Sequence, residues 1–104
     1  MSLGITLDQA STLVDAALAR GGELGLAPLT VAVLDPGGHL VVLKRQDGSG
    51  ILRAEIAVAK AWGVQLMVDG QLAGAAGISG DTSDNDEACA VHGAHTAGLV
   101  PWLE

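Results

Sequence analysis

Val64-Gln-Leu-Met-Val-Asp-Gly-Gln-Leu-Ala-Gly-Ala-Ala-Gly-Ile-Ser79 decides how this chain folds. Val64–Val68 is a short apolar run and Asp69-Gly70 is a two-residue hairpin turn. Gln71–Ser79 is then the return strand, so the pair is antiparallel. Its second arm consists mostly of Ala and Gly at positions 73–77. A strand without bulk lets a helix or a ligand approach its backbone closely.

Working outward, Leu52–Trp62 upstream reads as an Ala-rich helix closed by Gly63. Before it, Leu29–Leu34 and Leu40–Arg45 flank the turn Asp35-Pro36-Gly37-Gly38, where Pro36 presets φ and Gly37 tolerates a positive one. Thr6-Leu7-Asp8-Gln9 is a capping box opening a helix over 7–20, with Gly21-Gly22 as its stop. Downstream, Gly80–Ser83 is a loop and Asp84 caps a final helix to about Gly98, with Glu87 completing the box. The order α-β-β-α-β-β-α predicts an α+β domain: an antiparallel sheet of four to five strands with helices packed on it.

At 104 residues the chain allows one domain, 1–104. It carries 12 acids against 5 Lys and Arg, a net charge of −7. That charge argues against phosphate backbones and anionic membranes, so no nucleic acid and no membrane is expected as a partner. The charge is uneven: residues 1–60 hold every Lys and Arg, while 61–104 hold six acids and no cation. A single Cys and no visible leader segment fit a cytoplasmic protein. The core must be built from Ala, Val, Leu and Ile, because Trp62 and Trp102 are the only aromatics. A small domain buries its apolar excess incompletely, which predicts a homo-oligomer.

Two stretches carry a resemblance: Val33-Leu-Asp-Pro-Gly-Gly-His-Leu-Val-Val-Leu-Lys-Arg-Gln-Asp-Gly48 and Ser79-Gly-Asp-Thr-Ser-Asp-Asn-Asp-Glu-Ala-Cys-Ala90. Together they resemble the GlcG/HbpS-like family of haem-binding and haem-degrading proteins, related to the C-terminal domain of PduO-type proteins. The resemblance implies a profilin-like antiparallel sheet with helices on both faces, assembly as tetramers or octamers, and haem as a cofactor of some members. Two departures stand out. Family members carry an additional segment between the Lys60 helix and the Val64 strand, absent here between residues 63 and 64. His92 and His95 stand where the family has small or aliphatic residues. Met1-Ser2-Leu3 and Leu103-Glu104 are given no functional weight.

The richest polar cluster is Ser79-Gly80-Asp81-Thr82-Ser83-Asp84-Asn85-Asp86-Glu87, with Ser79, Gly80, Asp81, Asp84, Asp86 and Glu87 as its candidate ligand contacts. It reads as a capped helix start, as a ligand site at a helix N-terminus, where amides hold an anion, or as three Asp and a Glu holding a hard cation. Arg53 and Lys60, seven residues apart on one helix face, could hold a carboxylate such as a haem propionate, or could bridge to the acidic loop. Asp47 is a candidate pocket acid. His92 and His95, with Cys89 a further step back, could offer donors to a metal or haem iron, or could simply pack. His39 and Asp35 read most simply as turn residues.

No Ser-His-Asp order, Walker loop, dinucleotide fingerprint or EF-hand spacing is present. Three functions follow as expectations. The first is a homo-oligomeric protein binding a small molecule or haem between the Lys60 helix and the Ser79–Glu87 loop. The second is an enzyme on a small organic acid or haem-derived substrate, with Lys60 orienting a carboxylate and Asp86 or Glu87 as acid/base. The third is a non-catalytic oligomeric accessory subunit.

Overall fold

The computed structural model describes residues 4–103. Met1-Ser2-Leu3 and Glu104, given no functional weight above, lie outside that span. Three helices, α1 (Leu7–Glu23), α2 (Arg53–Lys60) and α3 (Ser83–Thr96), pack on strands β1 (Thr30–Leu34), β2 (Leu40–Arg45), β3 (Val64–Val68), β4 (Gln71–Ser79) and β5 (Val100–Leu103). The strands form one sheet in the order β2-β1-β4-β3-β5, antiparallel at every seam. Both hairpins are present. Asp69 and Gly70 adopt φ of 51° and 76°, the doubly positive geometry of a tight hairpin turn.

Strand alternation sends successive residues to opposite faces. Val31, Val33, Ala76, Ile78 and Leu66 join Leu13, Val14, Ala17, Cys89, Ala90 and Ala94 in the main core under α1 and α3. Leu34 and Ala75 point the other way and pack with Ala61 and Val58 beneath α2. Helices therefore cover both faces, as the resemblance implied. Among the described residues no helix is long and apolar enough to cross a membrane.

Four boundaries differ from the sequence expectations. Helix α1 runs through Gly21-Gly22 to Glu23. Gly21 is buried against Leu29 and Cys89, and the chain reverses only at Gly25, with φ of 68°. Helix α3 is capped by Thr82, whose hydroxyl accepts from the Asn85 amide at 3.2 Å; Asp84 lies inside the first turn and Glu87 closes no box. Residues 52–62 are not one helix: α2 tightens into a 3-10 turn at Ala61–Gly63, which links it to β3 without a longer loop. Val100–Leu103 forms a fifth strand beside β3, a register that only the tertiary pairing selects.

The small residues of β4 do what their size permits. A methyl group on Gly77 would collide with the Ala57 carbonyl oxygen and come within 2.7 Å of the Ala61 amide nitrogen. Helix α2 thus rests its backbone directly on the middle of the sheet. Gly77→Ala is expected to lower stability by about 3 kcal/mol, the upper end for overpacking, because backbone rather than a flexible side chain must move. Gly63→Ala, with nothing within 4 Å of the added carbon, is the matched control and should be near neutral in urea denaturation.

Candidate functional site

On the β3 side, β4 is paired only as far as Ala75, opposite Gln65, yet β4 continues to Ser79. The overhanging residues Ala76, Gly77 and Ile78 border a cavity of about 350 Å³. Ala59 and Lys60 from the end of α2 close it on one side, Ser83, Asp86, Glu87 and Ala90 from the start of α3 on the other, with Gly63 and Val64 at its floor. Helices on opposite faces of the sheet therefore meet around a notch in its interior.

Their meeting point is an ion pair. Lys60 Nζ lies 3.4 Å from Asp86 Oδ2; the Asp86 side chain is 3% exposed and that of Lys60 37%. The second Asp86 oxygen, Oδ1, accepts the Asp81 backbone amide at 2.9 Å. Both oxygens of the buried carboxylate are thus engaged, as burial of a charge requires. Glu87, one residue on, is exposed and forms no ion pair among the described residues, so the cavity mouth carries a half-exposed ammonium beside an open carboxylate.

The remaining candidates fall into separate roles. Asp81 is a loop clasp: its Oδ1 accepts the Ala27 amide at 3.1 Å and its Oδ2 accepts the Asn85 side-chain amide at 2.8 Å. The Asn85 amide, then the Thr82 and Ala27 backbone amides, hold its carboxyl below the usual 3.8. Arg53 turns inward, donating from Nη1 to the buried Ser79 hydroxyl at 2.9 Å. Ser79 faces Thr30 across the β1–β4 seam, and Thr30 in turn bonds the Ser49 hydroxyl at 2.8 Å. Gly80 is small because a side chain there would strike the Pro28 carbonyl. Asp84 is exposed on α3 and does not line the cavity, and Asp47 lies apart, beside Arg45 and Pro28.

Cys89 points into the core towards Gly21, where burial, and then the charge of Asp86, push its thiol pKa up from 9.0. His92 and His95 are exposed on α3, so the structure does not gather them with Cys89. Among the described residues no group of three His, Cys, Asp or Glu side chains could hold a metal ion. His39 bonds Asp35 at 3.1 Å in the β1–β2 turn. The cavity residues not singled out from sequence, Ala59, Gly63, Val64 and Ala90, are small or apolar; Ser83 belongs to the Ser79–Glu87 cluster, and the Ala/Gly run of β4 signalled Ala76 and Gly77.

The family model described as haem degrading protein HbpS-like matches residues 5–67. The chain belongs to the HbpS-like family. That match spans α1 to β3 and so includes Lys60. Solved HbpS-like folds superpose on nearly the whole chain. A PduOC:haem complex does so with a TM-score of 0.85 at 21% identity, covering 92% of this chain and 96% of that one. Protein ORFY of Klebsiella pneumoniae gives 0.84 at 20% identity, covering 90% of each chain. A double mutant of Streptomyces reticuli HbpS gives 0.83 at 25% identity, covering 91% of this chain and 88% of that one. No curated protein matches the sequence.

The Asp81 clasp has a pH signature. Its folded pKa lies below the unfolded value of 3.8, so near that pH the unfolded chain binds more protons. The contribution is fully present above 3.8 and is lost as pH falls through the lower folded value. The urea midpoint of the wild type should therefore drop more steeply below 3.8 than that of Asp81→Ala. Parallel acid limbs would place the sensitivity elsewhere.

Proposed function

We propose that this HbpS-like chain is a homo-oligomeric binding protein for a carboxylate-bearing small molecule of the haem or organic-acid class, seated between the end of α2 and the start of α3. The observation that carries the reading is Lys60, a partly exposed ammonium bordering a cavity walled by Ala, Gly, Val and Ile together with Ser83, Asp86 and Glu87. A ligand carboxylate there gains a charge-assisted hydrogen bond from the Lys60 donors not given to Asp86. At about 350 Å³ the cavity is at the small end of ligand sites, which run from about 300 to 1,000 Å³. It accommodates a small organic acid whole, or one edge of a porphyrin.

Family membership and the haem complex of the PduOC neighbour support haem as the ligand class. The lining residues fit one part of that molecule. Lys60 suits a propionate, but the lining holds no His, Cys, Met or Tyr to ligate iron, and no step is derived through the metal. Buried Cys89 suits a reducing, cytoplasmic setting. The apolar residues left exposed on α2, β2 and β5 support self-association.

Titration with haem and with metal-free protoporphyrin, followed in the Soret band, tests the site. Both should bind with similar affinity, because the carboxylate rather than the iron is held. Lys60→Ala should weaken both by roughly tenfold, the size of one charge-assisted hydrogen bond, and Lys60→Arg should restore most of the loss. Undiminished binding by a folded Lys60→Ala would falsify the assignment.

A further inference from the structure

The proposed ligand cavity borders the end of α2 at Ala59 and Lys60; the flank of α2 that faces β2 is an apolar surface that none of the described residues covers. Ile51, Ala54, Val58 and Trp62 recur at three- and four-residue spacing along that flank, a single stripe on a helical segment. Beside it, β2 sends Leu40 and Leu43 to the same face of the sheet, since they pair with Leu34 and Ala32, which lie under α2. Leu43, Ala54, Glu55, Val58 and Ala59 line a groove of about 400 Å³ between helix and strand. Large side chains project at its ends: Ile51 is 87% exposed and Leu52 62% at one, Leu40 54% and Trp62 38% at the other. Trp62 packs by Gly38 in the turn that leads to Leu40, so the surface is continuous.

We infer that this α2–β2 face is where a second copy of the chain docks, by a two-fold interface in which the projecting residues of each copy fill the groove of the other. A two-fold contact needs knob and hole on one patch, and this patch holds both. Area and charge select the occupant. A fully exposed large side chain offers on the order of 150–250 Å², so the four projecting residues present on the order of 400–500 Å² of apolar surface. A stable interface takes about 800 Å² from each partner, of which roughly 56–65% is apolar, so these four side chains supply most of the apolar share.

Two copies, each of net charge −7, repel one another over most of their surface. Here the sole acid lining the groove is Glu55, and Arg45 is exposed on the same face of β2, so the face sets one cation against one acid. The rival apolar site, the β5 edge with exposed Val100 and Trp102, is blunted by Pro101, which has no amide to extend a ladder.

The inference deepens the self-association reading above and is independent of the carboxylate site. Sedimentation velocity over a concentration series tests it with three variants of the full chain. Wild type should sediment as a multimer. The double change Ile51→Glu with Leu52→Glu, and separately Leu40→Lys on the other wall of the groove, should each give monomers with unchanged far-ultraviolet dichroism. Trp102→Glu on β5 should leave the multimer intact. Either groove variant assembling like wild type, or Trp102→Glu alone dissociating it, overturns the assigned surface. A monomeric wild type overturns self-association itself, while leaving porphyrin binding to decide the ligand site.

Discussion

Much of this structure depends on the contact between α2 and β4 at Gly77. Backbone rests on backbone there, because Gly77 has no side chain and Ala57 and Ala61 are small. Close approach gains dispersion contacts along both elements, but it holds a helix of eight residues, too short to be stable alone. Tertiary contacts must fix its ends. Arg53 does so at one end through the Ser79 hydroxyl, and Lys60 at the other through Asp86. Arg53 thus points to β4 and Lys60 to the start of α3, while the flank of α2 beside β2 carries no cation. The cavity, the ion pair and the bare α2–β2 face are consequences of this one seating.

The charge asymmetry of the chain acquires a place in that arrangement. Lys60 belongs to the half that holds all the cations and Asp86 to the half that holds none. The fold brings them together around the notch beyond β3. Asp86 is the more deeply committed partner, since a carboxylate that is almost fully buried needs both its cation and the Asp81 amide. Lys60 keeps part of its surface in solvent and has donors beyond the one given to Asp86. That inequality suits a ligand-binding lysine: the buried acid positions the ammonium without saturating it. Arg53 is the contrasting case, a cation used to anchor a helix to a hydroxyl inside the protein.

The absence of Phe and Tyr also takes on a structural meaning. Both tryptophans lie outside the core, Trp62 on the α2 flank and Trp102 on the edge strand, while the interior is filled by Ala, Val, Leu and Ile. A core of small side chains requires close element spacing. That is achieved through glycines at the crossing points, Gly77 under α2 and Gly93 against the backbone of α1 at Leu13. The cavity inherits the same character along β4, where Ala76, Gly77 and Ile78 border it, and its lining offers no ring to stack on a porphyrin.

The sequence by itself determined the two hairpins, the layered α+β class and the family. Period-two and period-3.6 patterns, turn residues and caps are local signals that need no partner to be read. It also named Lys60, Asp86 and Glu87, through charge placed near helix ends. Tertiary structure decided the rest. Glycines at 21–22 looked like a helix stop, yet the helix runs through both and Gly21 is a packing site, because only the neighbouring Leu29 and Cys89 reveal the need for space. Arg53, Lys60, Asp81 and Asp86 were all candidates as charges in a string, with Lys60 favoured over Arg53 because its end of the helix leads towards the expected cleft. Which became clasps and which stayed accessible depends on burial and on partners 26 or 54 positions away. Such distances are set by how strands pair, and no local pattern encodes them.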